Sequence, residues 1–175
     1  RRVEAPPRVV FEQGDARTVR LGRRFGAVVS LFHVVSYQTT AEDLAAMLAT
    51  VREHLEPGGL FLFDCWYGPG VLSDPPVTRV RRCEGDGREL VRVAEPRLLP
   101  SLDCVDVCYD LLLLAPEAKT FERTQEVHRM RYFFLPALRD LLRAAGFSLE
   151  FGYEWMTRSE PTGRTWYLCV GARLR

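Results

Sequence analysis

Two unbroken apolar runs, Phe25-Gly26-Ala27-Val28-Val29-Ser30-Leu31-Phe32 and Leu60-Phe61-Leu62-Phe63-Asp64, flank a single helical stretch. A strand that is apolar on both faces asks to be covered on both, as at the centre of a parallel sheet. Between the runs, Leu44, Met47, Leu48, Val51 and Leu55 recur at helical spacing and form one stripe to bury. Thr39 and Glu42 have capping-box spacing at the start of this helix. Pro57-Gly58-Gly59 stops it and turns the chain into the second run. Strand, helix and strand in this order predict a crossover unit and a parallel pair. A further short strand is read at Val9-Val10-Phe11-Glu12, ending at Gly14-Asp15.

The rhythm then changes. Val77 to Cys83 and Arg88 to Ala94 flank Gly85-Asp86-Gly87, a hairpin signal. Cys104 to Leu114 alternates, with Val105, Val107, Tyr109, Leu111 and Leu113 on one face, and Thr120 to Tyr132 reads as a fourth strand. These predict an antiparallel sheet laid over one edge or mouth of the parallel one. Pro136 opens a last helix with Leu138, Leu141, Leu142 and Ala145 as its stripe and Gly146 as its cap. Phe147 to Trp155 and Thr165 to Arg173 then pair as a closing hairpin across Pro161 to Gly163.

Composition narrows the function classes. Among 175 residues, 24 basic and 23 acidic side chains nearly cancel, to +1. That balance argues against a nucleic-acid surface, which needs a net basic face. No apolar run reaches the roughly 18–20 residues of a membrane span. The five cysteines, Cys65, Cys83, Cys104, Cys108 and Cys169, are odd in number and irregular in spacing. No metal site is expected from them, and reduced thiols in a cytoplasmic protein are.

Three stretches, in order, resemble class I S-adenosylmethionine-dependent methyltransferases: Phe11-x-x-Gly14-Asp15-Ala16-Arg17 with the run from Phe25; His54-Leu55-Glu56-Pro57-Gly58-Gly59 with the run from Leu60; and the closing helix, Ala145-Gly146-Phe147 and hairpin. The flavour is nearest to small-molecule enzymes of bacterial secondary metabolism, including amino-sugar N-methyltransferases. The resemblance implies an α/β fold, a Rossmann-like methyltransferase sheet of parallel strands with a terminal antiparallel hairpin, plus an antiparallel β insert. Residues 1–75 and 133–175 would be the C-terminal part of the Rossmann-like domain, and 76–132 the insert covering the acceptor site.

It also implies a cofactor, S-adenosyl-L-methionine, and places for it. Open parallel sheets bind ligands at the carboxyl ends of their strands. By the family pattern Asp15 and Ala16 meet the adenine, and Leu31 and Phe32 flank the methionine part. Arg17 is read as solvent-exposed. His33, at the same rim, is the first candidate for a base, and Tyr37 the second. Trp66 and Tyr67 follow the next strand, where aromatic faces suit a substrate or a sulfonium. His128, Arg131 and Tyr132 of the insert, with Trp155 and Trp166 of the last hairpin, are substrate-side candidates. His54 lies at the opposite end and reads as structural.

The implied reaction is methyl transfer to N or O of a small metabolite, a nucleotide-linked sugar or natural product among them. The acceptor is the expected partner, without nucleic acid or membrane, and a free sheet edge invites a homodimer. The family's acidic-Gly-x-Gly-x-Gly loop and the acidic residue that holds the ribose have no counterpart in the sequence. Residues 1–7 read as the tail of a helix. The N-terminal strands are thus expected to belong to a longer natural protein, and this chain alone to bind cofactor poorly. A methyltransferase-like scaffold without activity is the competing reading.

Overall fold

A computed structural model describes residues 10–115 and 119–175. The reading of residues 1–7, and Val9 of the first expected strand, fall outside these. The crossover unit is present: β1 (Phe25–Ser30), α1 (Ala41–His54) and β2 (Leu55–Tyr67), with β1 and β2 parallel. Leu44, Met47, Leu48, Val51 and Leu55 are all buried, against Phe61 and Phe63 of β2. Burying such side chains stabilises by about 1.5–3 kcal/mol each.

Two local expectations are corrected. The helix cap lies one residue later than Thr39–Glu42: the Thr40 hydroxyl accepts from the Asp43 N–H at 3.0 Å. The cause lies upstream, where a 3-10 turn over Val34–Tyr37 uses the chain up to Gln38, whose N–H donates to Val35. Thr40 is then the last extended residue before the helix. The second correction concerns β1, which is not covered on both faces. It pairs with β2, and Val29 is 53% exposed. Residues 10–12 form no strand, and Phe11 is 93% exposed. An apolar run reports what needs burial, not what covers it, and no other strand among the described residues takes the free edge of β1.

After β2, a helix missed in the sequence, α2 (Gly68–Ser73), is set tightly against the last hairpin. A Cβ on Gly70 would collide with the Thr165 carbonyl, so only glycine fits. The antiparallel strands follow: β3 (Arg79–Gly85), β4 (Arg88–Leu99), β5 (Cys104–Ala115) and β6 (Thr120–Phe133). Asp86 and Gly87 take φ of 51° and 69°, the left-handed pair that a two-residue hairpin turn requires. The end of β6 runs parallel to the end of β2, with Trp66 beside Tyr132 and Tyr67 beside Phe133. This joins both sheets. A second cluster of Val71, Val105 and Tyr132, with Trp66 and Trp166 against it, fills the joint.

The chain closes with α3 (Leu135–Ala144), β7 (Phe147–Glu154) and β8 (Tyr167–Leu174). Gly146, at φ 90°, ends the helix, and β8 inserts between β2 and β7, antiparallel to both. No described helix is long and apolar enough to cross a membrane, and no described cluster of His, Cys, Asp and Glu could hold a metal.

Candidate active site

At the carboxyl ends of β1 and β2 the backbone leaves ordinary conformations. Phe32 and His33 are both left-handed, at φ 61° and 62°, which side chains other than glycine rarely adopt. Asp64, the last residue of the second apolar run, holds this bend. It is 1% exposed, and its carboxylate oxygens accept the His33 backbone N–H at 3.1 and 3.2 Å. The His33 ring Nδ1 also lies 2.8 Å from Asp64 Oδ2, but too obliquely for a hydrogen bond. The ring stacks on Tyr167 at 4.7 Å and meets Trp66 edge-on at 6.4 Å.

The bend feeds the 3-10 turn. Ser36 is fully buried, and its hydroxyl accepts the Trp66 N–H at 3.0 Å, which pins the turn to β2. Tyr37 is thereby aimed across the gap at the antiparallel sheet. Its hydroxyl lies 2.7 Å from His128 Nδ1, and His128 Nε2 lies 3.0 Å from Glu126 Oε2. Tyr109, opposite Glu126 in the β5–β6 register, sets its ring edge-on to His128 at 5.1 Å. Burial, with Tyr109 and Glu126 nearby, raises the Tyr37 pKa above its ordinary 10. The phenol therefore keeps its proton at neutral pH, and it donates to Nδ1 when the ring proton of His128 sits on Nε2, facing Glu126.

The antiparallel register divides the sheet into two faces. Tyr109, Glu126 and His128 share one, and Asp106, Asp110, Arg123 and Arg129 share the other. On that other face the arginines are paired: Arg129 with Asp106 at 2.6 Å and Arg123 with Asp110 at 2.8 Å. On the His128 face, Arg92 lies over the Tyr109 ring at 5.5 Å, its Nε buried without a partner among the described residues. Arg81 sits directly opposite Arg92, and like charges so placed repel unless an anion joins them.

The remaining expected residues are placed as follows. Asp15 is taken up by Arg17, which donates its backbone N–H at 2.8 Å and its guanidinium at 2.7 to 3.2 Å. This holds the Asp15 carboxyl at about 2, well below its ordinary value. Arg17 also pairs with Asp43 at 2.6 Å, so it ties the loop to α1 while staying exposed, as its reading expects. Ala16, Ser30 and Leu31 line a groove of about 450 Å³ along β1, whereas Phe32 is 86% exposed and lies outside it. Two buried polar atoms at this rim, Ser30 Oγ and Trp66 Nε1, have no described partner. Such orphans cost free energy unless water or a ligand meets them.

Trp66 packs edge-on with Trp166 at 5.5 Å, and Tyr67 packs against the main core. Arg131 lies over Phe133 at 5.2 Å and, by register, faces away from His128. Trp155 follows β7, its N–H donating to Tyr167. His54 is buried at the far end, accepting the Leu21 N–H on Nε2 at 2.8 Å, as its structural reading expects. The site thus joins His33, Tyr37, Trp66 and His128. Sequence reading missed Glu126 and Asp64 as partners, although Glu126 and His128 were visible two apart on one strand.

No family model matches the chain. It is 33% identical over 168 residues to a dTDP-3-amino-3,4,6-trideoxy-alpha-D-glucopyranose N,N-dimethyltransferase of Streptomyces venezuelae, covering 95% of the chain and 66% of that protein. It is 28% identical to a dTDP-3-amino-3,6-dideoxy-alpha-D-glucopyranose N,N-dimethyltransferase of Streptomyces fradiae, over 83% of the chain and 55% of the relative. The chain thus spans under two thirds of these relatives' lengths. Among solved structures it is similar to Streptomyces venezuelae DesVI, at a TM-score of 0.66 and 30% identity, covering 90% of this chain and 63% of that one. The sugar N-methyltransferase KedS8 of Streptoalloteichus shares the fold, at a TM-score of 0.74 and 24% identity over 93% and 61% of the two chains.

Proposed function

Because the chain belongs to the class I S-adenosylmethionine-dependent methyltransferase family, we propose that it forms the acceptor side of an enzyme methylating the amino nitrogen of a nucleotide-linked sugar. The observation that carries this reading is the Tyr37–His128–Glu126 chain at the rim where β2 meets β6. An amine attacks only through a free lone pair, so its extra proton must leave. Tyr37 takes that proton on its oxygen while passing its own to His128 Nδ1, and Glu126 faces the resulting imidazolium.

The residues suit S-adenosyl-L-methionine in part. Ala16, Leu31 and the orphaned Ser30 hydroxyl offer a wall at the carboxyl end of β1. The glycine-rich loop expected to hold the methionine part has no counterpart in the sequence. When bound, that cofactor supplies the methyl group as an electrophile on sulfur. Trp66 and Tyr67 wall the acceptor side, Arg92 with Arg81 offers cations to its phosphates, and residues 76–132 act as its cover over the domain formed by 1–75 and 133–175. On this reading the protein works in the cytoplasm on a small molecule, with neither nucleic acid nor membrane as partner, and a homodimer is the expected assembly.

The test is incubation of the full-length protein that carries this chain with radiolabelled S-adenosylmethionine and a dTDP-linked amino sugar, with products followed by mass spectrometry. Successive methyl additions on nitrogen are expected, and Tyr37→Phe should lower kcat by about 100-fold. Methylation on oxygen, or none, would sink the reading, the latter in favour of a scaffold.

A further inference from the structure

We propose that Glu126 is a positioning residue of this site, one that acts on the acceptor only through His128 by holding the ring proton on Nε2. The inference rests on the methyl-transfer reading, in which Glu126 faces the imidazolium after proton transfer, and adds a part for it before that step.

A neutral imidazole has one N–H and one bare nitrogen, and proton uptake from Tyr37 needs the bare nitrogen to be Nδ1. Nothing in the imidazole itself enforces that choice. The groups facing His128 are Tyr37 from the 3-10 turn, Tyr109 from β5 and Glu126 from its own strand, with apolar Val107 directly opposite. Tyr109 presents its ring, and the Tyr37 hydroxyl can donate or accept, so neither can select a tautomer. Glu126 can, because an ionised carboxylate only accepts, and it lies 3.0 Å from Nε2. Its side chain is 50% exposed, so the Coulombic gain of the pair is screened and small. What survives exposure is direction, namely which nitrogen carries hydrogen and where the ring points. Residues 126 and 128 share one face of β6, and the ring is wedged by Tyr109 from the neighbouring strand. The arrangement is therefore built into the sheet.

The experiment compares wild type, Glu126→Ala and Glu126→Gln, with folding checked by thermal melting. Ring ¹⁵N shifts of His128 report which nitrogen is protonated, whether or not the enzyme turns over. The wild type should carry its proton on Nε2, and Glu126→Ala should populate both tautomers. In kinetics, Glu126→Ala should lose about 10-fold in kcat with KM nearly unchanged. Glu126→Gln should lose as much or more, since its amide NH₂ can donate to Nε2 and drive the proton to Nδ1. A purely structural role predicts the reverse order, with glutamine milder than alanine. A wild-type ring protonated on Nδ1, a tautomer unmoved by both variants, or a loss confined to KM would each overturn the proposal. A fully active His128→Asn would instead bring down the reading of the site, leaving the ring measurement to judge Glu126 on its own.

Discussion

Two imidazoles stand at the rim, and they are held in opposite ways. His33 belongs to the crossover unit: its backbone is bent left-handed, its N–H is bound by a buried carboxylate, and its ring is stacked on Tyr167. His128 belongs to the antiparallel sheet, on a regular strand, with both nitrogens facing polar partners and neither partner buried. The first is fixed by the fold, with its ring Nδ1 buried and without a hydrogen-bond partner among the described residues. The second sits in a chain through which a proton can move. A histidine beside a buried aspartate looks more catalytic on paper, yet Asp64 spends its oxygens on the main chain.

Removing each imidazole breaks this comparison most sharply. His128→Asn should lower kcat by about 100-fold or more while leaving the melting temperature near that of the wild type. His33→Asn should do the reverse in kind, with a kcat within about 10-fold and a measurable loss of stability, since the backbone N–H keeps Asp64 but the stacking on Tyr167 goes. Steady-state kinetics beside calorimetric melts would decide. Equal kinetic losses from both variants would mean that the two rings share one task.

How much of this was legible in the sequence depends on distance along the chain. Phe25 to Ser30, the stripe from Leu44 to Leu55, and Asp86-Gly87 are local patterns, and the elements they predict are present. Tyr37 and His128 could each be named as candidates, but their meeting spans 91 positions. It depends on the parallel contact of β2 with β6 and on the β5–β6 register, which no local pattern states. Asp64 was visible at a strand end, but its partner is a backbone N–H that only the left-handed bend turns toward it. The burial of β1 was misread for a related reason: hydrophobicity is a property of the run, cover a property of its neighbours.

The structural half of the comparison rests on Asp64, and the next effect in size should come from it. Asp64→Ala removes the acceptor of the His33 N–H at the bend. Leaving a buried donor unpaired costs about 1–3 kcal/mol, and the bend also loses what restrains it. Chemical denaturation should show this loss, with Asp64→Asn milder because its amide oxygen still accepts one bond. A stable Asp64→Ala would mean that the 3-10 turn is held by Ser36 and the Trp66 N–H alone.

The smallest effect belongs to the loop before β1, which holds the residues expected on the adenine side. Asp15 is exposed, and its carboxyl is held at about 2 by Arg17 against an ordinary 3.8. A carboxyl depressed in the folded state adds stability above its unfolded pKa, and that contribution fades as pH falls through the folded value. Arg17→Gln should therefore lower the melting temperature slightly at pH 6, and the difference from wild type should shrink between about pH 4 and 2. The same substitution frees the Asp15 carboxylate from its guanidinium. If Asp15 meets the adenine, S-adenosylhomocysteine binding by the Arg17→Gln protein should change along with the loop. If titration calorimetry finds the affinity unmoved, Asp15 is a turn residue, and the adenine is met by backbone such as that of Ala16. That outcome would shift the cofactor side of the site from side chains to main chain and leave the Tyr37–His128 half untouched.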